Sequence, residues 1–184
     1  MKNYSMLPIK RKSDIPLEYR DTPLGLLLEY HNLKRPYEAH AQARLLIGMC
    51  MDNRKHLHIP DNFSYIIRSG GGNLRFSEFK VSYAIAIGRV QHIALIGHNH
   101  CGMVNIASKK DTFINGLVKR AGWSRAAAED HFMNLALMHD IGNEIEFVLS
   151  EAQRLKMKYP KIMIAPFYYK LEDNRLYCLM HKQK

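Results

Sequence analysis

Residues 43 to 54 have the sequence Ala-Arg-Leu-Leu-Ile-Gly-Met-Cys-Met-Asp-Asn-Arg. The largely apolar part of this stretch, up to residue 51, is typical of a buried parallel strand. A later strand is predicted over residues 91 to 97, and it is followed by His98-Asn99-His100-Cys101-Gly102. Reactive side chains therefore follow two predicted strands at their carboxyl ends, where open α/β sheets bind their ligands.

The thiols and the imidazole in these two segments form a ligand set that suits zinc. Cys50 and Cys101 offer thiolates, and His98 offers a ring nitrogen. Three protein ligands leave the fourth position of a tetrahedron open, as in catalytic zinc sites, whereas structural sites use four protein ligands. The sequence therefore predicts one Zn²⁺ per chain at these three residues. We also expect Cys101 to begin a helix, where the amide dipoles favour a thiolate.

Asp52 and Arg54 are the predicted catalytic residues. Asp52 lies two residues beyond Cys50, so its carboxylate can point into the same pocket and accept a hydrogen bond from zinc-bound hydroxide. Arg54 would keep this carboxylate ionised and oriented through a bidentate pair. Without the second segment, the same two residues would be interpreted as a surface ion pair of little energetic value.

Together the two segments resemble the signature of the β-class carbonic anhydrases, which is Cys-x-Asp-x-Arg after one strand and His-x-x-Cys-Gly after another. Residues 68 to 73, Arg-Ser-Gly-Gly-Gly-Asn, resemble the turn that the family places between them. The similarity covers about residues 43 to 180, and the sequence around His98 is most similar to the short archaeal and bacterial branch.

This resemblance implies a function and an assembly. The function is the reversible hydration of CO2 to bicarbonate and a proton, carried out by zinc-bound hydroxide. The assembly is a homodimer or a higher homo-oligomer, with the N-terminal helix packed on the neighbouring subunit. The resemblance also implies that the aspartate can leave the arginine and occupy the open zinc position.

Two other functions stay open. The family scaffold has also been adapted to carbonyl sulfide and carbon disulfide, and the ligand residues do not distinguish these molecules from CO2. A catalytically silent, zinc-stabilised module would instead use the net charge of +10 to bind nucleic acid. Because the basic residues do not alternate with aromatic ones, we expect a solvated basic surface and no nucleic-acid partner.

Length and composition fit a small globular protein. The chain has 184 residues, of which 47% are hydrophobic and 24% are charged. We predict a basic, irregular N-terminal arm over residues 1 to 22, with Lys182 and Lys184 adding charge at the other end, and a single zinc-binding α/β catalytic domain over residues 23 to 184. Thiolate ligands favour a reducing compartment, and the apolar runs are too short for a membrane span, so we expect a cytoplasmic protein.

The alternation of strands and helices predicts an α/β fold like that of the β-carbonic anhydrases. We expect a mostly parallel central sheet of about four strands, a C-terminal antiparallel edge strand, and helices on both faces. The predicted strands are residues 43–51, 63–68, 91–97, 161–169 and 175–180. The predicted helices are residues 24–33, 76–90, 124–139 and 143–159, with a short helix or an insertion over residues 108–122.

The remaining histidines and the third cysteine have no assigned catalytic role. His100 lies between two ligands, and His56 and His58 follow the Asp-Arg pair, so each could carry protons, although such residues more often face solvent. His131 and His139 lie in predicted helices and are interpreted as structural. Cys178 lies in a predicted strand and is interpreted as a small buried hydrophobe.

Overall fold

The computed structural model describes residues 4–181 of the chain. Its strands are β1 (Tyr4–Pro8), β2 (Leu45–Cys50), β3 (Ser64–Ser69), β4 (His92–His98), β5 (Met163–Lys170) and β6 (Arg175–His181). Its α-helices are α1 (Pro23–Leu33), α2 (Glu78–Ala86), α3 (Lys110–Ala121), α4 (Arg125–His139) and α5 (Glu144–Lys158). The strands form one six-stranded sheet in the order β1-β6-β5-β4-β2-β3.

The four strands β3, β2, β4 and β5 run parallel to one another, and β6 runs antiparallel to β5. All residues of β2 are buried, as expected for a parallel strand with helices on both sides. Alternate residues of β2 pack on opposite faces, with Ile47 beside α1 and Leu46 beside α2 and α5. The predicted α/β fold is therefore confirmed.

The N-terminal segment differs from the expected irregular arm. Tyr4–Pro8 forms strand β1, which pairs antiparallel with β6, and the side chains of Ile9 and Ile15 are buried in the core. Strand β6 is therefore antiparallel as predicted but is not the outermost strand. The sequence of β1 is short, and it becomes a strand because β6 offers it an open edge with unpaired backbone groups. The predicted positive charges of Lys2, Lys182 and Lys184 lie outside the described residues.

The segment after β4 also differs from the prediction. Cys101 does not begin a helix, because the chain makes a turn in which the Val104 amide donates to the Cys101 carbonyl at 3.2 Å. Asn105 then adopts a left-handed conformation with φ of 52°, and α3 begins only at Lys110. Helix dipoles therefore do not favour a thiolate at Cys101.

The helices are otherwise close to their predicted positions. The ambiguous segment 108–122 contains α3, while α2 is shorter than the helix predicted over residues 76–90. Ser124 caps α4 by accepting from the Ala127 amide at 3.2 Å, and Asn143 caps α5. Within residues 4–181, none of the helices combines the length and hydropathy that crossing a bilayer requires.

Candidate metal centre

Strands β2 and β4 bring the three predicted ligands to one edge of the sheet. The two strands are adjacent and parallel, with Met49 opposite Ile96. Cys50 is the last residue of β2 and His98 is the last residue of β4, so both side chains lie at the carboxyl edge. Cys101 returns to the same place through the turn that follows β4.

The ligand atoms of Cys50, His98 and Cys101 all lie within 4.8 Å of one another, and the two sulfur atoms are 3.9 Å apart. The three side chains are buried, with exposed fractions of 3%, 1% and 6%. Among residues 4–181, this is the one group of three or more histidine, cysteine or acidic side chains close enough to hold a metal ion. The structure thus brings together the residues that the sequence predicted.

One ring nitrogen of His98 is buried without a hydrogen-bond partner. The Nδ1–H group donates to the Asn99 carbonyl at 2.9 Å, which leaves the lone pair of Nε2 without a partner. A buried polar atom without a partner is costly. A metal ion would satisfy this nitrogen, and a hydrogen bond from the other ring nitrogen is the usual support for a histidine ligand. The donor set therefore fits zinc.

The two thiols affect each other's protonation. A hydrogen bond with Cys101 lowers the pKa of Cys50, against the opposing effect of burial. The same hydrogen bond, together with burial, raises the pKa of Cys101. The pair thus readily loses one proton and resists losing the second, and a bound dication would favour the loss of both.

Asp52 and Arg54 form a bidentate ion pair beside the three ligands. The Arg54 guanidinium donates to both carboxylate oxygens, with Nη2 2.6 Å from Oδ2 and Nε 3.0 Å from Oδ1. Arg54 Nη2 also donates to the His100 carbonyl at 2.9 Å. The hydrogen bonds from Arg54 hold the pKa of Asp52 well below its usual range, so the carboxyl is ionised.

The loop that carries Asp52 is held by two basic residues that the sequence analysis did not assign to the site. Arg68, at the end of β3, donates to the carbonyls of Cys50 at 3.2 Å and Lys55 at 3.2 Å. Lys55 is fully buried, and its ammonium donates to the Asp52 carbonyl at 3.3 Å. Burial lowers the pKa of Lys55, although the nearby Cys50 and Asp52 oppose this shift. A lysine in a polar loop is normally solvated, so the sequence carries no signal for its burial.

A cavity of about 460 Å³ opens next to the ligands. Its lining combines polar residues of the 50–54 segment with the apolar side chains of Met51 and Met103. Ile141 and Phe147 are buried behind the two cysteines and complete an apolar wall. The pocket thus joins a polar side at Asp52 to an apolar side at Met103.

The glycines at residues 70–72 allow this wall to approach the sheet. Gly71 has φ of +63°, and a Cβ atom there would lie 2.6 Å from Cγ2 of Ile141. At Gly70, a Cβ atom would lie 3.0 Å from the sulfur of Met103. The turn predicted from the three glycines is therefore present, and its close packing excludes larger residues.

The other histidines lie outside the ligand group. His100 is exposed, and its ring lies 3.4 Å from the Glu172 carboxylate. His56 and His58 are exposed as well, and the His58 ring stacks on buried His31 with a centroid distance of 5.6 Å. The His131 ring packs beside Phe113 and Trp123, and the His139 ring packs beside Phe76. Cys178 is fully buried in β6, and burial raises its pKa to about 12.

The family model for carbonic anhydrase matches residues 72–176, which is more than half of the chain and includes His98 and Cys101. The mostly parallel α/β sheet of this chain is also the fold of a solved β-carbonic anhydrase. The chain belongs to the carbonic anhydrase family, in its β class. No curated protein matches the sequence.

Solved structures of two carbonic anhydrases and of a carbon disulfide hydrolase share the fold. The β-carbonic anhydrase isoform I of Trichomonas vaginalis gives a TM-score of 0.64 at 16% identity, over 82% of this chain and 91% of that chain. The carbonic anhydrase of Streptococcus mutans gives a TM-score of 0.56 at 18% identity, over 88% of this chain and 98% of that chain. A carbon disulfide hydrolase in its apo form gives a TM-score of 0.52 at 20% identity, over 73% of this chain and 77% of that chain. At these identities the similarities show the fold alone.

Proposed function

We propose that the chain is a zinc-dependent carbonic anhydrase that catalyses the reversible hydration of CO2 to bicarbonate and a proton. The observation that carries this proposal is the buried group of Cys50, His98 and Cys101, whose ligand atoms lie within 4.8 Å of one another and in which Nε2 of His98 has no hydrogen-bond partner. Membership of the carbonic anhydrase family supports the same reaction.

Cys50, His98 and Cys101 would hold the zinc ion and leave its fourth position open. When bound, zinc supplies a Lewis acid that allows water to lose a proton near neutral pH. Two thiolate ligands neutralise the charge of the dication, so the site needs further help in orienting the attacking water. The chain itself must supply that help.

Asp52 is the residue placed to orient the attacking water. Its Oδ2 atom lies 4.0 Å from Nε2 of His98. A water molecule at the metal position would therefore be close enough to hydrogen-bond to Asp52. The carboxylate is held ionised by Arg54, so it accepts a hydrogen bond and directs a lone pair of the water toward carbon. Arg54 acts as a positioning residue, because it fixes Asp52 and is itself fixed by the His100 carbonyl.

The apolar side of the cavity is the proposed position of CO2. Met51 and Met103 line the space beside Asp52, and an apolar surface suits a small uncharged molecule. Carbonyl sulfide and carbon disulfide are linear molecules of the same kind, and the structural similarity to a carbon disulfide hydrolase keeps them as the second candidate substrates.

We further propose a homodimer that forms through the open edge of the sheet. The apolar residues Leu24, Leu27 and Leu28 of α1 are fully buried in the chain's own core, so they are not free to pack on a neighbour. At the opposite side, β3 is an edge strand with exposed Tyr65, and exposed Phe79 lies in the adjacent helix α2. An open edge and an apolar surface together favour pairing with a second copy. Substituting Phe79 by Glu should then shift the molar mass measured by light scattering from dimer to monomer.

Two finer assignments accompany this proposal. We place the chain in the short archaeal and bacterial branch, on the sequence around His98. We also propose a cytoplasmic location, where thiols stay reduced and able to bind metal.

The direct test is a stopped-flow assay of CO2 hydration on purified protein with measured zinc content. We expect catalysis between about pH 7 and pH 9 in protein that holds about one zinc per chain. Carbonyl sulfide and carbon disulfide should be assayed on the same sample. Zinc-loaded protein that accelerates none of the three reactions would contradict an enzymatic role and favour the silent module.

A further inference from the structure

Asn99 follows the proposed ligand His98 directly, and its backbone carbonyl is the hydrogen-bond partner of the His98 ring. A carbonyl can only accept a hydrogen bond, so the contact of 2.9 Å places the ring proton on Nδ1 and leaves Nε2 as the nitrogen that a metal ion would bind. The orientation of the imidazole therefore depends on the direction in which the Asn99 carbonyl points.

The side chain of Asn99 is held by the turn that joins β5 to β6, residues 171–174. Its Oδ1 atom accepts a hydrogen bond from the Leu171 amide at 2.9 Å, and its Nδ2 group donates to the Glu172 carboxylate. Strands β4 and β5 are adjacent and parallel, with His98 opposite Tyr169, so this turn lies beside the segment that follows β4. Both polar groups of the Asn99 amide thus connect the metal segment to a neighbouring part of the fold.

The peptide group between Asn99 and His100 is also fixed from its other side. His100 has a positive φ of 54°, which is uncommon for a residue with a side chain, and its carbonyl accepts from Nη2 of Arg54 at 2.9 Å. The chain is therefore anchored at two points directly after His98, to the β5–β6 turn through Asn99 and to Arg54 through His100. Fixing both points limits the directions in which the Asn99 carbonyl can point.

We propose that Asn99 is a positioning residue for His98, because the hydrogen bonds of its side chain to Leu171 and Glu172 fix the carbonyl that orients the imidazole. This inference rests on the proposed function, since it requires His98 to be a metal ligand. A hydrogen bond to the second ring nitrogen of a ligand histidine fixes the tautomer and the ring, and losing such an outer contact weakens metal binding about 10- to 100-fold. Asn99 acts one step further out, through its own carbonyl.

The experiment measures the Kd for Zn²⁺ by competition with a chromophoric chelator, so it needs no turnover. Asn99→Ala removes both side-chain hydrogen bonds and keeps the backbone carbonyl. The double variant Asn99→Asp/Glu172→Gln exchanges the amide and the carboxylate between the two positions at unchanged net charge. The carboxylate at position 99 would then accept from the Leu171 amide and from the side-chain amide at position 172.

The matched control is Asp173→Asn, in the same turn. The Asp173 carboxylate accepts hydrogen bonds from the Arg175 amide at 3.0 Å and from the Tyr177 hydroxyl, both on β6 and not on the metal segment. This variant therefore changes the turn without removing a hydrogen bond of Asn99. The thermal unfolding midpoint of each metal-free variant establishes that it is folded.

We expect Asn99→Ala to bind Zn²⁺ about tenfold more weakly than the unmodified protein, at the lower end of the cost of an outer contact. The double variant should stay within about threefold of the unmodified protein, because it restores the two hydrogen bonds. The Asp173→Asn variant should change by less than about twofold, because Asn99 keeps its partners.

Unchanged zinc affinity in folded Asn99→Ala would overturn the inference, and so would a double variant that binds zinc as weakly as Asn99→Ala. An equal loss in Asp173→Asn would also overturn it, because any change in the turn would then suffice. Unmodified protein that binds no Zn²⁺ would overturn the proposed metal centre, and the role of Asn99 with it. A loss in Asn99→Ala that the double variant restores supports Asn99 even if CO2 is not the substrate.

Discussion

The Oδ2 atom of Asp52 lies 4.0 Å from the Nε2 atom of His98. The same oxygen accepts a hydrogen bond from Arg54 at 2.6 Å, so the carboxylate is held next to the metal position without occupying it. In the proposed zinc centre, this arrangement would leave the fourth position of the ion open for water.

Replacing Asp52 by Asn tests this arrangement. The amide keeps the shape of the side chain but loses the negative charge that pairs with Arg54 and accepts the hydrogen bond of the attacking water. We expect kcat/KM for CO2 hydration to fall about 100-fold, with zinc content unchanged. The same change at exposed Asp61 is the control and should leave the rate unaffected. An Asp52→Asn variant with full activity would remove Asp52 from the reaction.

Replacing Arg54 by Lys separates charge from geometry. Lysine keeps the positive charge but cannot form the bidentate contact with Asp52 or reach the His100 carbonyl in the same way. The freed carboxylate lies near enough to His98 to move into the open metal position. We expect a fall of about tenfold or more in kcat, measured by stopped flow, because the pair becomes monodentate. Equal rates would show that only the charge of Arg54 matters.

The three cysteines allow a matched test of metal binding. Cys50→Ala should lose most of its zinc, measured by elemental analysis after dialysis, because two protein ligands remain. Cys178→Ala removes an equally buried thiol in β6 and should retain about one zinc per chain. Equal zinc content in both variants would show that Cys50 is not a ligand.

Gly71 offers a test of the packing behind the site. An alanine there would be strained by the positive φ of +63°, and its Cβ would lie 2.6 Å from Ile141. We expect Gly71→Ala to lower the free energy of unfolding by about 2 kcal/mol or more, measured with urea. Gly122 has a φ of +72° but open space around it, so Gly122→Ala should cost only about 1 kcal/mol. Similar losses of unfolding free energy in the two variants would mean that Ile141 moves away from the added methyl group.

His31 links stability to pH. Burial lowers the pKa of His31 from its usual 6.5 to about 4, and the charge of His58 adds to the shift. The unfolded chain therefore binds more protons than the folded protein between these values, so stability is full above the unfolded pKa and is lost as pH falls toward the folded one.

The variant His31→Asn tests that link, because asparagine can still accept the hydrogen bond from the His58 amide. Between about pH 7 and pH 5, we expect its free energy of unfolding to fall by about 2 kcal/mol less than that of the unmodified protein. The comparison between the two proteins removes any shared contribution from metal loss. Parallel pH profiles would show that the pKa of His31 is the same in the folded and unfolded states.

The parts of the fold that follow from local pattern could be predicted from the sequence. The apolar runs of β2 and β4 determine the central parallel pair, and the residues that follow them become neighbours once the strands are adjacent. That is why Cys50, His98 and Cys101 converge as expected. Ser124 and Asn143, at which two predicted helices begin, cap these helices through side-chain hydrogen bonds in the structure.

The parts that depend on distant contacts could not be predicted. Strand β1 exists because β6, far along the chain, offers it an edge. The turn after Cys101 depends on the left-handed conformation of Asn105, which nothing in the local apolar pattern indicates. The sequence carries no signal for the burial of Lys55, whose ammonium donates to the Asp52 carbonyl and whose carbonyl accepts from Arg68 on another strand.

The most direct measurement is X-ray absorption at the zinc edge on purified, zinc-loaded protein. We expect two sulfur atoms at about 2.3 Å and one imidazole nitrogen at about 2.0 Å, with a fourth light atom from solvent. A first shell without sulfur, or one completed by four protein ligands, would contradict a zinc centre that Cys50, His98 and Cys101 hold open for water.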